Sequence, residues 1–252
     1  MSTPASRSPT VSSHNRWFYS VASLSLLVLV IIGFMPFYLQ GKAFPGRPLT
    51  PPIRTLIIVH GCLMTAWMLL AVGQPLLVGT RQKRLHMKLG IVGVALAVGI
   101  VVAGLKIGVE SARVAPAELR VFGLDPRQFM AIPVLSIMVF GLLVLVGVMN
   151  RRRPGVHRPM MLIASVSLIG AALGRMAPLN ALYAGTFWEV MFTAFFMQVI
   201  FAAVLLLAKW VVTRSFDRWL AAGVAGLTVA SAAISLGAKT QTWDRVATFL
   251  LR

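Results

Sequence analysis

Apolar residues run along the chain in seven long blocks, each interrupted by a short segment of basic residues, proline or glycine. The blocks cover about residues 17–39, 55–79, 88–110, 129–149, 159–177, 187–212 and 219–238. A helix needs ~20 mostly apolar residues to cross the hydrocarbon core of a bilayer, and each block supplies roughly that number. The pattern therefore predicts an all-α, polytopic transmembrane helix bundle of about seven spans, built from residues 17–252. Turn chemistry fills the interruptions. Pro45, Pro48, Pro51 and Pro52 stand in the first, Arg81 to Lys88 in the second and Pro116 to Arg127 in the third. Asn150 to Arg158 form the fourth, Pro178, Asn180 and Gly185 mark the fifth, and Thr213 to Arg218 form the sixth. Residues 1–16, rich in Ser, Thr and Pro, read as a disordered cytoplasmic tail. The first block is longer than the apolar core of a cleavable signal and no small-x-small site follows it, so it reads as a retained span. No loop is long enough to form a soluble domain.

Composition agrees. Of 252 residues, 58% are hydrophobic and 12% charged, with a mean hydropathy of +0.84. Soluble domains carry about 25% charged residues. The deficit fits a surface that faces lipid. A net charge of +18 does not point to nucleic acid, because the cations sit in short clusters between apolar blocks, where loops meet anionic headgroups. The predicted partners are the lipid bilayer and other membrane protein subunits. With the N-terminus inside, twelve Lys and Arg fall in the inner segments against nine outside, and the inner ones crowd into short loops. This predicts an N-in, C-out orientation. Trp17, Tyr19, Trp210 and Trp219 would mark the inner interface, and Tyr38, Tyr183, Trp188 and Trp243 the outer one. Cys62 is the single cysteine, which excludes an intrachain disulfide and a Cys-rich metal site.

Polar groups inside spans are costly, so each is a candidate for function. In the second block His60, Met64, Trp67, Ala71 and Gln74 recur at helical spacing as one stripe. Trp67 lies mid-membrane, which marks the stripe as facing protein, with Cys62 pointing the other way. His60 and Met64, one turn apart, offer the ligand types copper accepts. The plainer reading is a hydrogen-bonded histidine with methionine as packing. In the third block Gly90, Gly93 and Ala97 follow His86 on one face, continued by Gly104 and Gly108, and such small residues admit a close neighbouring helix. Lys106 and Glu110, one turn apart, are expected to pair. In the fifth block His157 and Arg175 share a face, joined by Met161, Ser165, Leu168 and Ala172. A buried Arg175 needs an acceptor, and Glu189 and His60 lie at similar depth. His60, Gln74, Arg175 and Glu189 are therefore the candidate ligand-binding residues of an outer-leaflet polar cluster, with Asn180 nearby. The alternative is an ion pair that serves the fold alone.

The loops before two histidines resemble each other. Arg81 to Gly90 reads RQKRLHMKLG and Arg152 to Met161 reads RRPGVHRPMM. Each is a basic turn followed by a histidine opening an outward-running helix, which suggests a repeated helix hairpin. On these residues the chain resembles a family of bacterial multi-pass membrane proteins grouped as a domain of unknown function. The shared features are His60 in HGCLMTAW with Gln74 downstream, the His-x-x-Leu-Gly of His86 to Gly90, and His157–Arg158 opening a span that ends in Arg175. They cover roughly residues 55–176. Many relatives read His-Arg-x-Met-x-Arg where this chain has HRPMML, so the role of that second arginine does not carry over. The resemblance implies a helical membrane protein of the bacterial cytoplasmic (inner) membrane and brings no activity. There is also a distant likeness to b-type membrane cytochromes.

Three functions follow as expectations. The first is a non-catalytic accessory or assembly subunit of a larger membrane complex, since the chain is small, has no soluble domain and carries glycine-rich faces. The second is a single b-type haem, or quinone-linked, redox protein. His86 and His157 enter from one side at similar depth, as bis-histidine ligation requires, and neighbouring Arg and Lys could meet propionates. The third is small-molecule binding or transport at the outer cluster, where a buried arginine suits an anionic or carbonyl-bearing ligand. Against transport, no Gly or Pro interruption marks a broken helix at mid-membrane. No Ser–His–acid set, carboxylate pair or His-Glu-x-x-His motif occurs, so no catalytic residue is assigned.

Overall fold

A computed structural model of the protein describes residues 13–43, 47–48, 51 and 53–252. Residues 1–12 of the expected tail lie outside the described residues, and the chain is already helical at Ser13.

Local chemistry sets the helix ends. Helix α1 (Ser13–Gly33) is followed by the short α2 (Met35–Gln40), which Gly41 ends in a left-handed turn at φ 60°. A two-residue ribbon pairs β1 (Lys42–Ala43) with β2 (Arg47–Pro48). Then come α3 (Arg54–Gly79), α4 (Lys83–Arg113) and α5 (Pro126–Met149). A capping box starts α5: Asp125 accepts from the N–H groups of Arg127 and Gln128 at 2.9 Å each, and Gln128 Oε1 accepts from the Asp125 N–H. Pro126 needs no N–H partner at that first helical position. The fifth span is α6 (Pro154–Leu168) continued by α7 (Gly170–Leu173). After the short α8 (Ala177–Ala181), the sixth span runs through α9 (Phe187–Phe192), a 3₁₀ turn (Thr193–Phe195) and α10 (Phe196–Thr213). Asp217 caps α11 (Arg218–Gly237), and Thr240 caps α12 (Gln241–Leu250).

Among the described residues, six helices are long and apolar enough to cross a membrane, and Trp17–Gly33 is a shorter apolar helix at the first block. The architecture is the expected all-α bundle of a multi-pass membrane protein. Helices α3, α4, α5 and α6 pack one on the next, so the two histidine-bearing hairpins lie side by side. Helix α1 lies across α3, α6, α7 and α10, while α11 packs on α5, α6, α9 and α10, and α12 lies against α5.

Hydrocarbon gives apolar helices little reason to associate, so close approach and hydrogen bonds must hold the bundle. The small face of α4 supplies the first. Cβ atoms at Gly93, Gly104 and Gly108 would come within 2.9, 2.8 and 2.7 Å of Leu70, Ile137 and Val134, so these positions seat α3 and α5 rather than another chain. Trp67 is 3% exposed and supplies the second, donating to Ser165 Oγ at 3.2 Å, while Cys62 on the opposite side is exposed.

Several expectations are corrected. Glu110 pairs with Arg113 at 2.8 Å rather than with Lys106, which is exposed. The aromatic belts lose three members to the interior: Tyr19, Tyr183 and Trp243 are buried, with Trp243 donating to the Arg127 carbonyl at 2.8 Å. Trp17, Trp210 and Trp219 do face outward at one end, as do Tyr38 and Trp188 at the other. Broken helices also occur. At Ile169 the N–H bonds the Val166 carbonyl, three residues back, in place of the α-helical partner. At Thr193 the backbone turns left-handed, φ 45° and ψ −123°, a strain of order 1–3 kcal/mol for a non-glycine residue. Contacts on both sides of the break offset it: Thr193 Oγ1 meets Ser235 Oγ at 2.9 Å, and the Tyr183 hydroxyl reaches the Thr193 carbonyl at 3.0 Å.

Candidate functional site

His86 and His157 are each the fourth residue of their helices, α4 and α6, which both start at the end of the bundle lined by the basic turns. Equal registry on two helices running the same way puts the imidazoles at one depth. Their ring centroids are 6.4 Å apart with planes nearly perpendicular, at 88°. Both rings are half-buried.

Each ring is held from behind by the helix that precedes its own. His157 Nδ1 bonds the Gly147 carbonyl of α5 at 2.8 Å. A carbonyl only accepts, so Nδ1 carries the proton and Nε2 keeps its lone pair. A Cβ on Gly147 would sit 2.8 Å from Met161 Sδ, so the methionine side chain would have to shift. The Gln74 side chain of α3 lies against His86 Nδ1. With its NH₂ toward the ring it donates to Nδ1 and, at 3.3 Å, to the His86 carbonyl, while its oxygen accepts from the Gly90 N–H at 3.1 Å. That places the His86 proton on Nε2. A half-turn of the amide would instead accept from Nδ1–H and free Nε2 as a ligand. Beside the pair, Arg158 is half-buried, while Lys83, Arg84 and Lys88 are exposed.

The arrangement suits a group bound between two imidazoles. Two histidines ligating one metal from opposite sides at about 2.0–2.1 Å each have centroids roughly 6 Å apart. The Nδ1–H bond of His157 to the Gly147 carbonyl is the kind that orients a metal-ligating histidine, and the Gln74 contact becomes one when the amide turns its oxygen to Nδ1–H of His86. The side of α4 next to His86 also has room, since a Cβ on Gly90 would meet nothing within 4 Å.

The outer cluster takes a different form. Gln74 lies fourteen residues beyond His60 on α3, about 21 Å along the axis, and belongs to His86. His60 presses its Cε1 toward Gly104 and has a buried Nδ1 without a hydrogen-bond partner. Met64, the other candidate copper ligand, packs against the core. Among the described residues no three His, Cys, Asp or Glu gather to hold a metal ion. The Arg175 guanidinium lies 4.4 Å from the Phe34 ring centroid and donates to the Ala171 carbonyl at 2.5 Å. Glu189 accepts from the Gly185 N–H at 2.6 Å and closes the loop before α9, while Asn180 donates to the Gly174 carbonyl at 2.8 Å. These groups stitch loops and helix ends.

One buried group escaped the sequence reading. Lys209, 6% exposed, donates to Asp217 and to the Tyr19 hydroxyl, with the Tyr19 ring centroid 4.4 Å from its ammonium. A lysine within the sixth block and a lone aspartate eight residues on were the available signal.

No protein-family model, curated protein or solved structure matches the chain.

Proposed function

We propose that the protein is a redox protein of the bacterial cytoplasmic membrane that holds a single b-type haem between His86 and His157, with the histidine end facing the cytoplasm. The observation that carries this reading is the pair itself: two imidazoles from separate helices, at one depth, spaced for bis-histidine ligation and each braced at Nδ1. A bound haem would supply reversible one-electron transfer. The chain's own part would be to orient the rings, through the Gly147 carbonyl and the Gln74 amide, and to meet propionates with the cations of the basic turns. The concentration of Lys and Arg at that end supports its cytoplasmic placement. An accessory-subunit role rests on no feature of comparable specificity.

The test is a dithionite-reduced minus oxidised absorption spectrum of the protein purified in mild detergent from haem-sufficient cells. A sharp reduced α-band of b type is expected, abolished by His86→Ala and by His157→Ala and retained in His60→Ala. A flat spectrum, or equal pigment in all three variants, would overturn the reading and leave the accessory subunit in front.

A further inference from the structure

Helix α12 has ten residues and is about 15 Å long, half of what a bilayer crossing needs. Its two ends are tied to two different spans. Near its start Trp243 donates to the Arg127 carbonyl at 2.8 Å, and Asp244 stands 3.9 Å from the Arg127 guanidinium. Near its finish the Leu250 carbonyl accepts from Arg113 at 3.1 Å. Arg127 is the second residue of α5 and Arg113 the last of α4, while α11 ends at Gly237, just before α12 begins. Three spans thus terminate at the level of α12, at the end of the bundle opposite the histidine pair. Bonded to both Arg127 and Arg113, α12 runs along the membrane surface.

Its sequence gives it three sides. Trp243, Ala247 and Leu250 recur at i, i+4 and i+7 and pack into the core beside α5. Gln241, Arg245 and Thr248 recur at the same spacing and form a polar side. Between the two lies an apolar flank, Val246 at 42% and Phe249 at 71% exposure, three residues apart and so neighbours on the helix surface. The apolar exposed surface of the spans reaches this level, since Leu236, next to the last residue of α11, is 43% exposed. Arg245 is exposed and has no ion-pair or hydrogen-bond partner among the described residues.

We propose that α12 is an interfacial anchor whose partner is the lipid surface: Val246 and Phe249 insert among the acyl chains of the adjacent leaflet, and Arg245 lies among the lipid phosphates. A helix with one protein side, one apolar flank and one polar side fits the boundary between hydrocarbon and headgroups, where all three environments meet. The unpaired guanidinium complements the phosphates, and its aliphatic stem can lie along the apolar flank. A second copy of the chain fits this flank poorly. Two side chains expose on the order of 200 Å², against roughly 800 Å² per partner in a stable interface. Acyl chains impose no such minimum. The anchor also holds the ends of α4 and α5 at one depth, through the bonds to Arg113 and Arg127.

The experiment places a nitroxide at Gln241→Cys, Val246→Cys or Phe249→Cys in the full chain carrying Cys62→Ser. The proteins are put into vesicles of phosphatidylcholine and phosphatidylglycerol, and power-saturation EPR compares access of oxygen with access of a water-soluble nickel chelate. The oxygen-to-nickel ratio is expected to be several-fold higher at 246 and 249 than at 241, with melting temperatures equal to that of Cys62→Ser. A label-free reading comes from Phe249→Trp, whose added fluorescence should be quenched by lipids brominated along the acyl chain. Nickel access at 249 equal to that at 241 would put the flank in water and overturn the proposal. Exclusion of both reagents at 249, with no added quenching in Phe249→Trp, would mean that protein covers the flank and would overturn it as well.

Discussion

Replacing Lys209 by methionine keeps the aliphatic stem but removes the ammonium that Asp217 and Tyr19 share. Asp217 then stays beside the ends of α1 and α10, with its side chain only 17% exposed. Breaking a buried ion pair by removing one partner costs about 3–5 kcal/mol, because the other charge is left uncompensated. Asp217 keeps two bonds at 3.0 Å from the Trp219 and Leu220 N–H groups, which lowers the expected loss to about 2–3 kcal/mol. For a chain of this size that corresponds to a fall of roughly 4–12 °C in melting temperature. Adding Asp217→Asn removes the stranded charge while preserving a side-chain oxygen for the helix cap. The double variant should therefore recover to within about 1 kcal/mol of wild type. Intrinsic tryptophan fluorescence during heating in detergent, with size-exclusion as a check on aggregation, measures all three proteins. A Lys209→Met variant as stable as wild type, or a double variant no better than that single one, would refute the reasoning.

Glycine substitutions should split by site. Gly33→Ala places a Cβ 2.5 Å from the Ala172 carbonyl oxygen and should cost about 1–3 kcal/mol by melting, whereas Gly226→Ala meets open space and should be neutral or up to ~1 kcal/mol stabilising. Tyr183 lies in the loop between α8 and α9, where burial, and secondarily the charge of Glu189, push its hydroxyl from 10.0 up to about 12. The folded state thus favours the neutral phenol, a contribution fully present below pH 10 and lost as pH rises toward 12. Wild type should lose more stability than Tyr183→Phe across that window, and the variant should already be about 1 kcal/mol weaker at neutral pH for want of the bond to Thr193. Ser165→Ala should leave the Trp67 N–H buried without a partner and lower the melting temperature, while Cys62→Ala on the lipid-facing side should not.

The long elements were legible because hydrocarbon thickness imposes one length on every span, and basic or proline-rich segments had nowhere to lie except between them. His86 and His157 were legible as partners because both follow a basic turn and sit equally far into helices of the same direction. What chain spacing could not show was which polar groups at different depths meet. Gln74 shares a helical stripe with His60, yet a stripe runs the whole membrane, and its far end serves the other histidine. The break at Thr193 carries no glycine or proline, because the contacts from Ser235 and Tyr183 hold the strained residue in place. Lys209 and Asp217 are separated by a turn between two spans, and only tertiary packing brings Tyr19, 190 residues from Lys209, to complete them.

Helix α1 also constrains the order in which the bundle is assembled. It is made before α6, α7 and α10, yet it packs on all three, and Tyr19 reaches Lys209 across 190 residues of chain. At about 5–20 residues per second, roughly 10–40 s of synthesis separate the appearance of the two partners. During that interval α1 can pack on α3 alone among its long partners, and its docking on α6, α7 and α10 is a late event in biogenesis. Truncation of the nascent chain before α10 leaves α1 without its lock.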